Sequence, residues 1–252
     1  MELSITQQDA GHTAQGLPLF IFALCNRHGM EARISTLGGA IIKLQVPDRH
    51  GRLANVIHGA APDCGIHLLP APGRALHRVP WHAVPLVEDA SVGLRLASPG
   101  PPAVLATYLL DEANGLTLHC QAPAATSATI CLRIALNMAG EGDVLSQQLE
   151  VGATRVVPAG EHERDVASTP WDCRSPRLLA ELPGQARYLL DQHGNGDAAL
   201  RLLDPATGRV LELATDAASL RLGCGERAAC LWLEPIMAAA GGQLVLRFTA
   251  QP

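Results

Sequence analysis

Short runs of alternating apolar and polar residues, separated by Gly and Pro turns, dominate this chain. Residues 18–26 (PLFIFALCN) and 30–35 (MEARIS) flank a turn at residues 27–29, which predicts a β-hairpin. Residues 40–46 (AIIKLQV) lead into a second turn whose Pro, Asp and Gly favour a chain reversal. Further strands are predicted at residues 81–87, 92–98, 104–111, 116–122, 128–138, 147–151, 186–191, 199–203, 210–215, 220–223, 229–233 and 243–249.

Helical periodicity is weak along the whole chain, and the only short helix that the pattern allows is at residues 176–182, where Pro176 could open the first turn. The fold class is therefore expected to be mainly β, as a large antiparallel β-sandwich. Loops rich in Pro and small residues at 60–73 and 98–103 interrupt the strands without resembling domain linkers. We expect a single domain over residues 1–252.

Composition narrows the classes of partner. The 252 residues are 48% hydrophobic, enough for one large core. The net charge is -5 and Lys43 is the only lysine, which disfavours nucleic-acid binding. The sequence has no apolar run of 18 residues and begins with MELSITQQDAG, which is neither basic nor apolar. We expect a cytoplasmic protein that binds no membrane and takes a small ligand.

The cysteines and histidines do not follow metal-site spacings. Seven cysteines are scattered without a Cys-x-x-Cys pair, which disfavours a disulfide framework or a zinc ribbon. Cys131 and Cys230 lie in apolar runs and are expected to be buried reduced thiols. The ten histidines form neither His-x-His nor His-Glu-x-x-His. No metal and no cofactor is predicted.

Six segments together resemble a known family. Residues 156–176 (VVPAGEHERDVASTPWDCRSP) are similar to the "vPtGe…V.GTPfDFR.P" stretch of galactose mutarotases, the aldose 1-epimerases. The other five, in the family's order, are residues 24–59, 108–118, 137–140 (NMAG), 204–215 (DPATGRVLELAT) and 231–235 (LWLEP). The resemblance implies an antiparallel β-sandwich with an open pyranose cleft. It also implies chemistry in which a carboxylate and an acid open and reclose the sugar ring.

Two catalytic positions are expected from this resemblance. Glu234, in the apolar run CLWLEP, matches the family's catalytic base; the alternative is a strand-end glutamate that reaches solvent beside Pro235. His77 resembles the histidine of the family's "LHGG" loop, which contacts sugar hydroxyls. Arg78 and Val79 replace the two glycines, so His77 is otherwise a surface-loop residue.

The family's acid and aspartate are replaced. Arg133 stands where the family has the histidine of "TNHsYFNL", and arginine is a poor proton donor. Arg133 could bind a carboxylate or phosphate on a sugar, pair with Glu234, or be an outward-facing strand residue. Gln185 stands at the position of the family's aspartate, for which Asp191 is a possible substitute or a simple turn residue.

The remaining substrate-binding candidates are Trp81, Trp171 and Arg74. Trp81 and Trp171 lie in the two rim motifs and are either pyranose-stacking rings or core residues. Arg74 is the only candidate for the arginine of a shortened family segment, LLPAPGRAL. Asp172 and Arg174 are expected to pair and hold the STPWDCR loop.

Two functions follow from these residues. The first is a divergent aldose 1-epimerase, acting on a hexose or a hexose phosphate, with Glu234 as base and a changed acid. The second is a catalytically impaired mutarotase-like module that binds carbohydrate. A plain structural β-sandwich is disfavoured, because much of the rim sequence is present.

Overall fold

Antiparallel strands are the main regular structure of the computed structural model, which describes residues 2–59, 64–69, 75–100, 103–122, 129–191, 197–238 and 241–251. The strands are β1 (Ser4–His12), β2 (Pro18–Cys25), β3 (Glu31–Ser35), β4 (Ile41–Pro47), β5 (Leu53–Asn55), β6 (Gly65–Leu69), β7 (His82–Val87), β8 (Ser91–Ala97), β9 (Leu105–Asp111), β10 (Gly115–Gln121), β11 (Thr129–Leu136), β12 (Gln148–Val151), β13 (Arg155–Pro158), β14 (Arg164–Asp165), β15 (Arg177–Leu178), β16 (Ala186–Leu189), β17 (Leu200–Leu203), β18 (Arg209–Thr215), β19 (Ser219–Cys224), β20 (Leu231–Met237) and β21 (Gly242–Ala250). Short 3₁₀ helices lie at Leu76–Arg78, Leu179–Glu181 and Glu226–Ala228.

The strands form three sheets. A five-stranded sheet runs β1-β2-β3-β4-β5. A nine-stranded sheet has the order β15-β12-β17-β18-β21-β10-β9-β8-β7, and a seven-stranded sheet has the order β14-β13-β16-β19-β20-β11-β6. The predicted mainly β class and antiparallel sandwich are confirmed.

The alternation of the central strands explains how one sheet serves both the core and a surface. On β20, Leu231, Leu233 and Met237 are fully buried and belong to the main core cluster. Successive side chains of a strand point to opposite faces, so Trp232 and Glu234 point away from that core. Because the seven-stranded sheet is apolar on its core face, its other face is free to carry polar groups.

Gly38 joins the first sheet to the third. Gly38 donates its N–H to the Val79 carbonyl and accepts a hydrogen bond from the Ile66 N–H at the start of β6. Its φ of +67° lies in the left-handed region. A Cβ there would lie 2.4 Å from the His77 Cα, which is a backbone atom and cannot turn aside. A glycine at position 38 is therefore required by a close approach of two backbones.

Replacing Gly38 with alanine should lower the free energy of unfolding by at least about 2 kcal/mol, because strain and a backbone clash add. Gly51→Ala is the matched control, since Gly51 also has a positive φ (+76°) but open space around it. Urea denaturation of the two variants checks this. Equal losses of stability in both would contradict the clash.

Three sequence predictions differ from the structure. Residues 176–182 hold no α-helix: Arg177–Leu178 pair with β12, and only Leu179–Glu181 form a 3₁₀ turn. The predicted loop at 60–73 contains strand β6, which pairs with β11. The polar strand β1 was not predicted, because it is an exposed edge strand without an apolar alternation. No helix among the described residues is long and apolar enough to span a membrane.

Candidate functional site

A row of charged side chains crosses the outer face of the seven-stranded sheet. In the strand register, Arg187 on β16 lies opposite Arg221 on β19, and Arg221 lies opposite Glu234 on β20. Paired residues of neighbouring antiparallel strands point to the same face. The three side chains therefore project together from the sheet.

Arg133 completes this row from the other side. On β11, Ile134 pairs with Leu233, which places Arg133 opposite Glu234. The guanidinium of Arg133 also lies 5.5 Å from the centroid of the Trp232 ring, a cation–π distance. Arg133 is thus held between a carboxylate and an aromatic face.

Glu234 is nearly inaccessible, at 2% exposure, and both of its oxygens have partners. Oε2 accepts hydrogen bonds from Arg221 Nη1 (3.0 Å) and Arg133 Nη2 (3.3 Å). Oε1 accepts one from the Cys131 thiol at 3.3 Å. Burial, with the neighbouring charge of Glu234, raises the pKa of the Cys131 thiol, so this thiol stays protonated and donates. A buried carboxylate is costly in isolation, and these donors compensate its charge.

A cleft of about 710 Å³ opens over this row. Its described lining includes Arg133, Arg187, Arg221, Gln185 and Trp232. One wall consists of residues 157–161 (VPAGE), which begin the motif segment that the sequence analysis placed on the cleft rim. The size suits a small ligand such as a monosaccharide.

Trp232 has its place on the cleft floor because Gly223, its partner on β19, has no side chain. A Cβ on Gly223 would lie 2.8 Å from the Trp232 ring and 2.7 Å from Gln185 Cγ. The indole therefore covers Gly223 and lies between Gln185 and Arg133. This gives the cleft a flat apolar surface with polar groups at its edges.

Comparison with known proteins identifies the family of this chain. The family model for aldose 1-epimerases matches residues 73–226, more than half of the chain. The chain belongs to the aldose 1-epimerase family. No curated protein matches this chain.

Solved structures of this fold agree with that family membership. The galactose 1-epimerase from Lactobacillus acidophilus NCFM superposes with a TM-score of 0.81 at 15% identity, covering 100% of each chain. The GalM/aldose epimerase homologue from C. elegans gives a TM-score of 0.74 at 16% identity, over 98% of this chain and 100% of that one. At these identities the likeness shows the fold that this epimerase-family chain shares with them.

His77 lies away from the cleft floor of this aldose 1-epimerase family member. Its ring stacks on His67, with centroids 4.2 Å apart and planes at 24°, and Arg78 Nε donates to His77 Nε2 at 3.1 Å. His67 is on β6 opposite Cys131, so the stacked pair lies beyond β11. Neither histidine is among the described residues that line the cleft. The structure therefore places Arg133 and Gln185 in the cleft lining and bonds Glu234, which is not among the described lining residues, to Arg133; it leaves His77 at the side.

The two tryptophans expected as stacking rings are buried. Trp81 is 3% exposed, and its Nε1–H donates to the Leu76 carbonyl at 3.0 Å. Trp171 is 6% exposed, and its carbonyl accepts a hydrogen bond from the Tyr188 hydroxyl. Neither is among the described residues that line the cleft. These buried positions match the alternative interpretation of both tryptophans, which is that they are core residues.

The other expected positions have structural partners or lie outside the described residues. Arg174 makes a bidentate pair with Asp172 (2.8 and 2.7 Å), which lowers the pKa of Asp172 to about 2. Asp191 accepts two hydrogen bonds from Thr154, which is 37 residues away in the chain, so it holds a distant loop in place. Arg74 lies outside the described residues.

The described part of the chain contains possible metal ligands, among them seven cysteines. It holds no group of three or more His, Cys, Asp or Glu side chains arranged for a metal ion. All seven cysteines are free thiols, and five are buried, including Cys131 and Cys230. The predicted burial of these two thiols is confirmed.

Sequence reasoning missed Arg187, Arg221 and Trp232 as cleft residues. Each belongs to a predicted strand and carries a bulky polar or aromatic side chain on the face opposite the apolar positions. The alternation of polar and apolar residues therefore indicated that these side chains face away from the core. It could not show that they lie in one cleft, because the order of the strands in the sheet decides which side chains become neighbours.

Proposed function

We propose that this protein interconverts the α and β anomers of a hexose, with Glu234 as the base that takes the proton of the C1 hydroxyl. The observation that carries the proposal is a buried carboxylate bonded to two arginines, Arg133 and Arg221, that line an open cleft of about 710 Å³, in a chain of the aldose 1-epimerase family. A base needs a positioned carboxylate within reach of the hydroxyl proton. The contacts of Glu234 with Arg133 and Arg221 hold it in place.

The two oxygens of Glu234 have different roles in this proposal. Oε2 accepts hydrogen bonds from Arg133 and Arg221, while Oε1 accepts only from the weak thiol donor of Cys131 among the described residues. Oε1 therefore takes the C1 hydroxyl proton as the bond from C1 to the ring oxygen breaks. On reclosure from the other face, Oε1 returns the proton to the oxygen on C1.

The ring oxygen needs a proton while the ring is open. Arginine is a poor proton donor, so Arg133 stabilises the developing negative charge and water in the open cleft gives and later regains the proton. This changed acid distinguishes the proposed mechanism from the family pattern with a histidine at the same position. It predicts a smaller rate gain than a dedicated acid would give.

The sugar contacts are proposed from the cleft lining. Trp232 gives a flat surface for one pyranose face, a role that the sequence analysis had assigned to Trp81 and Trp171. Gln185 is placed to hydrogen-bond sugar hydroxyls from the cleft edge. His77 would contact only a ligand that extends past β11. Arg74 lies outside the described residues and stays a sequence prediction. Seven free thiols suit a reducing compartment, so we place the reaction in the cytoplasm.

The test is the optical rotation of freshly dissolved α-D-glucose or α-D-galactose. Purified protein should speed the approach to the equilibrium rotation in proportion to its concentration. Sugar binding without any acceleration would overturn the enzymatic proposal.

That second outcome would favour a carbohydrate-binding module without catalysis. One observation supports this alternative: Arg133 occupies the position of the family's acid and shares Glu234 Oε2 with Arg221. Such a cluster could serve only to hold polar groups of a bound sugar.

Trp232→Ala should weaken sugar binding about tenfold, because the stacking face and the cation–π partner of Arg133 are lost together. Calorimetric titration with the sugar measures this. Trp171→Phe is the control, since Trp171 is buried outside the described cleft lining and its replacement should leave the affinity unchanged. Unchanged affinity in Trp232→Ala would remove Trp232 from the proposed site.

A further inference from the structure

The cleft carries more positive than negative charge. Of the arginines in its lining, Arg133 and Arg221 share the single carboxylate of Glu234. Glu161, the acidic residue of the described lining, is paired with Arg164. In the part of the chain that the structure describes, no acidic side chain pairs with Arg187. The cleft therefore has a surplus of guanidinium groups in a protein whose net charge is -5.

The surplus positive charge is concentrated at Arg187 and Arg221. The two residues are direct partners across β16 and β19, and both line the cleft. Like charges directly opposite each other in a sheet are unfavourable. An oxyanion between them would remove the repulsion and accept hydrogen bonds from both, since the planar guanidinium fork fits phosphate and carboxylate oxygens.

Arg133 adds a second unsatisfied donor to the same face. Its Nε is buried and has no hydrogen-bond partner among the described residues, although its Nη2 is bonded to Glu234. Burial of an unpaired donor costs free energy. The Arg133 side chain is nonetheless 33% exposed and lines the cleft, so a polar ligand there can bond its guanidinium at atoms other than this Nε.

We infer that the cleft takes a sugar with an oxyanion substituent far from its anomeric carbon, held between Arg187 and Arg221. The sugar part of this inference rests on the proposed function. Neighbouring strands lie about 4.8 Å apart, so the strand of Arg187 is roughly 10 Å from the strand of Glu234. This separation suits a hexose with C1 at Glu234 and its C6 substituent at the arginines. Phosphate and carboxylate share the required chemistry.

Calorimetric titration at low salt distinguishes the ligands. D-glucose, D-glucose 6-phosphate, D-glucuronate, D-glucose 1-phosphate and inorganic phosphate are compared. At least one of the two C6 oxyanions should bind at least about tenfold more tightly than D-glucose, since a charged hydrogen bond typically gives this factor. Glucose 1-phosphate should bind less tightly than the better C6 oxyanion, and added salt should weaken the charged ligands selectively.

The decisive variant is Arg187→Gln. Arg187 is exposed and has no acidic partner among the described residues, so the variant should fold normally. It should bind the preferred C6 oxyanion about tenfold to a hundredfold less tightly and bind D-glucose unchanged. Arg95→Gln removes an exposed arginine from β8 in the nine-stranded sheet and should change neither affinity.

The outcomes separate this inference from the proposed activity. Equal binding of D-glucose and both C6 oxyanions, or an unselective effect of Arg187→Gln, would overturn it. Inorganic phosphate bound as tightly as the sugar oxyanions would also overturn it, because the sugar would then contribute nothing. If no aldose is mutarotated but Arg187-dependent binding of a sugar oxyanion persists, the epimerase proposal fails and this inference stands. Preference for phosphate over carboxylate, or the reverse, identifies the substituent.

Discussion

Arg209→Leu is expected to lower the free energy of unfolding by about 3–5 kcal/mol and the melting temperature by roughly 10 °C. The Arg209 side chain is nearly fully buried and donates to four backbone carbonyls, those of Val46, Arg52, Met138 and Ala139. These carbonyls belong to segments far apart in sequence. Leucine fills part of the space but removes the guanidinium donors from all four carbonyls, of which the Arg52 carbonyl still accepts from the Asp48 N–H.

The control for this prediction is Arg95→Leu. Arg95 is exposed on β8, so its loss should change the unfolding free energy by no more than about 0.5 kcal/mol. Thermal and urea denaturation of both variants measure the difference. If Arg209→Leu is as stable as Arg95→Leu, the guanidinium does not hold these segments together.

Glu234→Gln is expected to reduce the catalysed rate of mutarotation by about 10²–10⁴-fold, which is the typical contribution of a general base. Glutamine keeps the shape of the side chain and can accept one hydrogen bond from an arginine, but its amide cannot take the C1 proton. The loss of stability should be modest, because Arg133 and Arg221 are 33% and 40% exposed and can turn to solvent. Initial rates of optical rotation give the comparison.

Glu150→Gln is the matched control for the loss of a carboxylate. Glu150 pairs with Arg201 at 3.1 Å in the nine-stranded sheet, outside the described cleft lining. This variant also breaks a glutamate–arginine pair and should retain the full rate. An active Glu234→Gln would assign the base to another group.

The fold was largely predictable because alternation and turn residues act locally. The hairpin of β2 and β3 and the central strands β9, β10, β18 and β21 lie within one or two residues of their predicted ranges. Strands β6 and β13 were missed, since each lies in a Pro- and Gly-rich segment where pairing with distant strands decides the conformation.

The site was predictable only in part. Glu234, Arg133 and Gln185 came from motif positions; Arg133 and Gln185 line the cleft, and Glu234 is bonded to Arg133. Trp81 and Trp171 share their rim motifs with exposed residues, and sequence alone could not show that both rings pack inward. Arg187 and Arg221 enter the site through the register of three strands, which no local pattern encodes.

The most direct test of the central claim is the exchange of C1 between the α and β anomers, measured at equilibrium by ¹³C exchange NMR with sugar labelled at C1. D-glucose, D-galactose, D-glucose 6-phosphate and D-glucuronate are compared with and without protein. The account predicts exchange faster than in buffer for at least one of these sugars, and a return to the buffer rate in Glu234→Gln. Exchange at the buffer rate for all four, or equal acceleration by Glu234→Gln, would contradict it.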